Sequence, residues 1–219
     1  GASAEEVLNS YRENVTQLFT DLDGNEVAAP KNADEFDQLK EFKRFALAYN
    51  SENDAALIKK SAEYKKDPMK LLFFVRKNAN GEVMSYALPV FGKGLWSTIK
   101  GYIALKTDMN TVQAITFYEH AETPGLGARI EEDWFTSSFK NKKIFDENGE
   151  LVSIDIVKGG INTEDPFQVA HGVDGVSGAT ITSHGVQNFI KTDLVLYTPF
   201  LKNKMKQSDA EMSTDSNKE

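Results

Sequence analysis

The feature that most constrains this chain is a succession of short apolar and β-branched runs in its middle: Leu71 to Lys77, Val83 to Val90, Tyr102 to Lys106 and Val112 to Tyr118. Each is short for a helix and rich in the Val, Ile, Phe and Tyr content of strands. Asn80-Gly81 and Asp108-Met109-Asn110 separate them as turn signals, so the region is predicted to fold as hairpins of an antiparallel sheet. Asn148-Gly149 and Gly159-Gly160 bracket another expected strand, from about Leu151 to Val157. Helical periodicity appears on both sides of this region. Val7, Leu8, Tyr11, Val15, Leu18 and Phe19 predict a helix from Ala4 to Phe19. Phe36, Leu39, Phe42 and Phe45 predict another helical stretch between Ala33 and Tyr64, interrupted at Asn53-Asp54 and closed by Pro68. A last helix is expected from Thr182 or Ser183 through Val186, Phe189, Ile190, Leu194 and Tyr197, bent or ended by Pro199. The fold class is α+β, a twisted and largely antiparallel sheet with packed helices. Its expected division is an N-terminal helical region 1–70, a main domain 71–203 and a frayed polar tail 204–219.

With 25 Lys plus Arg against 33 Asp plus Glu, the net charge of -8 is the opposite of a nucleic-acid footprint. The absence of Cys removes disulfides, zinc-thiolate sites, iron-sulfur clusters and thiol nucleophiles together. Apolar runs such as Leu71 to Val75 fall far short of the roughly 20 residues of a membrane span. Gly1-Ala2-Ser3 leads directly into a charged amphipathic segment without an initiating Met, so an upstream segment is expected to have been removed.

The most unusual segment is Asp174-Gly-Val-Ser177-Gly178-Ala179-Thr180-Ile-Thr182-Ser183, small and hydroxyl residues leading into the last helix. A helix start offers unpaired N–H donors and partial positive charge, so a phosphate placed just before Thr182 is stabilised there. Thr182 or Ser183 as a simple cap, with glycines turning the chain, explains the same residues. Other motifs are weaker. Gly92-x-Gly94 and Gly125-x-Gly127 lack the third glycine and the strand-turn-helix context of a dinucleotide site. His120, His171 and His184 have no zinc-type spacing, and there is no Gly-x-Ser-x-Gly elbow.

Asp174-x-x-Ser177-Gly178-Ala179-Thr180 resembles the flavinylation motif of the FMN-binding domain family. Glu122-Thr123-Pro124-Gly125-Leu126-Gly127 is similar to that family's second loop. A third block, Gly92 to Tyr102 with Gly94-Leu95-Trp96 at its centre, resembles the C subunits of sodium-translocating NADH:quinone reductases. The likeness runs from about Phe91 to Pro199. It implies FMN joined through its phosphate to Thr180 by a dedicated flavin transferase, in a cleft near the start of the C-terminal helix between the Thr180 loop and the Glu122 to Gly127 loop. Ser177, Gly178 and Ala179 would shape the phosphate site, and Asp174 would be read by the transferase or form a local turn before Gly175. Glu122, Thr123, Gly125, Leu126 and Gly127 would border the ring. Trp96 would stack near the ring, wall the pocket or simply be buried, and Lys158 would face the flavin or lie on the surface. The same likeness implies an electron carrier without turnover of its own, bound to the other subunits of a membrane reductase complex. It would be anchored in the inner membrane by an N-terminal helix, with its soluble domain on the periplasmic side. An Rnf-type G subunit, a stand-alone flavinylated carrier, and a non-redox module binding a phosphorylated ligand or partner remain as rivals.

Overall fold

The computed structural model describes residues 14–45 and 55–215. Strand β1 (Val15–Thr20) is followed by the two-residue β2 (Glu26–Val27), α1 (Gln38–Arg44), α2 (Ala55–Lys60) and α3 (Ala62–Lys66). Then come β3 (Leu71–Lys77), β4 (Val83–Lys93), β5 (Thr98–Leu105) and β6 (Val112–Glu119). A short 3-10 helix (Gly127–Glu131) and α4 (Asp133–Ser138) lead to β7 (Asp155–Val157), α5 (Pro166–His171), β8 (Gly172–Asp174) and the long α6 (Thr180–Asp215). Six strands form one antiparallel sheet in the order β2-β1-β3-β4-β5-β6, while β7 and β8 make a separate parallel pair.

The hairpin prediction holds for β3 to β6, and β4 and β5 reach further than expected. The Gly92 to Tyr102 block is the β4–β5 hairpin itself, with pairing from Lys93 opposite Thr98 and a tight turn closed by Gly94 N–H to Ser97 C=O at 2.8 Å. The expected helix from Ala4 to Phe19 is corrected in its second half. Val15–Thr20 is a strand in full register with β3, from Val15 opposite Arg76 to Thr20 opposite Leu71. The apolar β3 needs a neighbour on this side, and that pairing overrides a spacing that fits either period. Val7, Leu8 and Tyr11 lie outside the described residues, as does Asn53-Asp54.

The division at residue 70 does not separate two cores. β1 and β2 extend the sheet, and Phe42 of α1 meets Phe91 of β4 edge-on at 5.0 Å. Helix α1 begins where the Asp37 carboxylate accepts from the Leu39 and Lys40 amides at 2.9 and 3.1 Å. Leu151 forms only a bridge to Phe145, so the expected strand shortens to Asp155–Val157 and pairs with β8.

Helix α6 starts at Thr180 rather than Thr182 and continues through Pro199 to Asp215, where composition predicts an irregular tail. The β1–β2 turn holds this stretch: the Asn203 amide donates to the Asp23 and Gly24 carbonyls at 3.4 Å, and Lys204 pairs with Glu26 at 2.9 Å. Upstream, α6 completes a strand edge. The β3–β4 ladder ends at Phe74 opposite Ala87, leaving the rest of that edge of β4 without a strand beside it. Asp193 accepts from the Phe91 amide at 2.8 Å, and the Tyr197 hydroxyl donates to the Pro89 carbonyl at 3.0 Å. Proline has no N–H to leave unpaired at this edge. Tyr197 also packs on Phe73 at 5.1 Å, next to Phe200. On the opposite face of the sheet the described residues leave a groove of about 590 Å³ lined by Phe74, Ala87, Tyr102 and Ala104 among others.

Full burial drives the Asp193 carboxyl well above its ordinary range, against the opposing effect of the Phe91 bond. Asp193→Ala leaves the Phe91 N–H unpaired in the core and should destabilise the fold by about 1–3 kcal/mol in urea unfolding. Asp193→Asn keeps an acceptor and should recover most of that loss. Equal stability of the alanine variant and the parent would show that this bond contributes nothing.

Candidate functional site

The three sequence blocks converge on one buried carboxylate. Glu122 is 4% exposed. It accepts from the Leu95, Trp96 and Ser97 amides at 3.1, 3.0 and 3.2 Å in the β4–β5 turn, and from the Thr182 hydroxyl at 2.7 Å in the first turn of α6. The close approach explains Gly127, where an added Cβ would lie 2.7 Å from Thr182 Oγ1 and 3.0 Å from Glu122. The Glu122 carboxylate oxygens are thus engaged by donors of the protein itself. Thr182 and Ser183, read as possible caps, are both buried instead, with Ser183 Oγ accepting from the Val176 amide at 3.2 Å.

Downstream of Glu122, Pro124 and Gly125 turn the chain. Leu126 N–H returns to the Thr123 carbonyl at 3.1 Å, and Gly125 has φ +72°, the arrangement of a type II turn. Thr123 and Leu126 remain exposed. The Leu126 side chain reaches across to the other loop, where its Cδ2 would lie 3.1 Å from a Cβ at Gly178. Thus the two loops border one another.

Thr180 is exposed at the head of α6 and lines a cleft of about 270 Å³ with Lys158, Ser177, Gly178 and His184. Ala179 is buried beneath it. Ser183 N–H donates to the Ala179 carbonyl at 2.9 Å, and the amides of Thr180, Ile181 and Thr182 precede this bond at the positive end of the helix. An alcohol, two basic side chains and a helix start suit a phosphate ester. Lys158 follows β7, which brings it to this cleft even though it is exposed. Trp96 is 70% exposed, which rules out the buried alternative. Asp174 does not form the local turn before Gly175; its Oδ1 accepts from the Ile161 amide at 2.8 Å.

Sequence reasoning missed three residues. His184 lies one helical turn after Thr180 on the same face, a spacing visible in the sequence once the helix start is known. Arg129 and Trp134 line a second cleft of about 330 Å³ with Asp174 and Ser177, and the two clefts share Gly159, Gly175 and Ser177. Nothing in their spacing foretells this, because the 3-10 helix and α4 carry them there.

Burial raises the Glu122 carboxyl, but hydrogen bonds from Thr182, Trp96, Leu95 and Ser97 outweigh it and hold the acid below its ordinary 4.5. Its folded value is depressed, so its stabilisation is complete above about pH 4.5 and is lost as pH falls through that lower folded value. Glu122→Gln should cost about 1.5–3 kcal/mol at neutral pH and flatten this acid limb in unfolding measured from pH 7 to pH 3. An unchanged acid limb would remove Glu122 as its source.

A family model described as the FMN-binding domain matches residues 94–194. The C subunit of the Na(+)-translocating NADH-quinone reductase of Pseudomonas aeruginosa is 34% identical over 192 residues, covering 87% of this chain and 70% of its own length. Its Vibrio alginolyticus counterpart is 37% identical over 190 residues, covering 85% and 69%, and that of Yersinia pestis is 36% identical over 187 residues, covering 84% and 66%. The chain thus spans about two thirds of the length of these relatives. Among solved structures, Shewanella oneidensis NqrC has a TM-score of 0.72 at 31% identity, covering 94% of this chain and 90% of that one. The corresponding Parabacteroides distasonis structure has a TM-score of 0.67 at 30% identity, covering 92% and 85%. The chain belongs to the NqrC family, the C subunits of Na(+)-translocating NADH-quinone reductases.

Proposed function

We propose that this chain carries FMN as a phosphoester of Thr180 and relays electrons within a sodium-translocating NADH:quinone reductase. The convergence of the three family blocks around one exposed threonine, tied by Glu122, is the observation that carries this reading. The Thr180 oxygen holds the phosphorus, while Lys158, His184 and the first amides of α6 face its remaining charge. Leu126, beside Gly178, covers one side of the ring region and limits water there. The bound flavin supplies the redox chemistry, and the protein positions it. No titratable pair in the cleft is needed for turnover by this chain alone.

Attachment is assigned to a flavin transferase that reads the Asp174 to Thr180 loop, and the other subunits of the complex supply and accept electrons. No helix among the described residues is long and apolar enough to cross a membrane. In this reading the inner-membrane anchor belongs to sequence upstream of this chain, with the soluble domain on the periplasmic side.

Co-expression with the transferase should add the mass of one FMN phosphoester to the intact protein, and expression without it should add none. Thr180→Ala should abolish the increment and leave the unfolding midpoint near the parent's, since an exposed hydroxyl contributes little to the core. Retention of the increment, with Thr182 or Ser183 modified instead, would refute the assignment. Absence of any flavin on the parent would favour a non-redox binding module.

Leu126→Asp should leave attachment intact but make the flavin harder to reduce, through a negative charge beside the ring. A difference of about 1.4 kcal/mol between redox states changes their ratio tenfold, so even a screened charge is measurable by potentiometric titration. An unchanged potential and spectrum would place the ring away from this loop.

A further inference from the structure

The second cleft, which adjoins the Thr180 cleft, is lined by a cation, Arg129. Arg129 follows Leu126 by one turn of 3-10 helix, its amide donating to the Leu126 carbonyl at 3.1 Å. Its Nε is held by both carboxylate oxygens of Glu132, at 3.3 and 3.2 Å. Its guanidinium lies over Trp134, 5.2 Å from the ring centroid, and the Trp134 indole N–H donates to the same Glu132. This three-residue clamp uses one edge of the guanidinium. No hydrogen bond from its Nη nitrogens is found among the described residues, although Arg129 lines the cleft. Planar, permanently charged and fixed by stacking, it loses little freedom on engaging a ligand. The other charged group lining this cleft is Asp174, whose Oδ1 is already engaged by the Ile161 amide.

We infer that Arg129 is the cation that raises the reduction potential of the flavin, by donating from its free edge to the electron-rich side of the reduced ring. The inference rests on the attachment of FMN at Thr180. The cleft it lines continues from the Thr180 cleft through Gly159, Gly175 and Ser177, so a ring attached there can reach it. Electrons enter the ring from the donor group of the complex and leave to its acceptor, and no bond to the protein forms or breaks. When reduction leaves the ring with a net negative charge, a guanidinium favours that state over the neutral oxidised one. Glu132 opposes this effect, since its carboxylate lies on the far side of the same cation.

The two residues therefore tune the ring with opposite signs, a pattern that general damage to the site would not produce. Potentiometric titration of co-expressed full chain, with intact mass confirming one flavin per molecule, gives the readout. Arg129→Gln should lower the reduced-to-oxidised ratio at fixed poise about tenfold, ~30 mV in a two-electron titration. Glu132→Gln should shift it the other way, and Arg129→Lys should recover much of the parent value. An Arg129→Gln potential equal to the parent's, or shifts of the same sign in the Arg129→Gln and Glu132→Gln variants, would overturn the inference while leaving attachment intact. A parent chain without the flavin mass would overturn both readings, and the mass measurement separates the two failures.

Discussion

A single carboxylate holds together parts of the chain that are far apart in sequence. The Glu122 side chain joins the β4–β5 turn, its own Pro-Gly turn and the head of α6. Three amides and a hydroxyl directed at one buried anion offset its loss of water, and the negative charge is what makes those bonds stronger than neutral ones. The Thr180 loop is held at both ends, by the three-residue β7–β8 pair and by the head of α6, where Ser183 Oγ accepts from the Val176 amide and Thr182 donates to Glu122.

The sheet and α6 make the node possible. The helix lies along the part of β4 that β3 does not cover, and Asp193 and Tyr197, one turn apart, take over bonds that a strand would have made. The same packing fixes the helix in height and rotation. Gly185 lets it come close, since an added Cβ there would lie 2.3 Å from the Lys93 carbonyl oxygen. Helix register and loop position are thus set together.

The elements legible in the sequence are those whose causes are local. Turn residues such as Asn80-Gly81 and the β-branched runs around them define the hairpins without help from elsewhere. β1 was not legible, because Val15, Leu18 and Phe19 fit a helical face, and only the unfilled edge of β3 selects the strand. At the site, the Thr180 loop stands out through its run of small and hydroxyl residues. The inward role of Glu122 does not, since its partners lie 25 to 60 residues away. Arg129 and Trp134 were invisible for a similar reason: their meeting with Asp174 depends on where a 3-10 helix and a short α-helix happen to point.

The head of α6 also bears on regiochemistry. Thr180, Thr182 and Ser183 place three alcohols within four residues, chemically near-equivalent as acceptors of a phosphoryl group. Helical phase turns the first outward and the other two inward, where Thr182 is 1% and Ser183 4% exposed. Of these three alcohols Thr180 alone is exposed, so on this turn of the helix the fold itself distinguishes them. Shifting the helix by two residues would present a different oxygen without changing a single side chain.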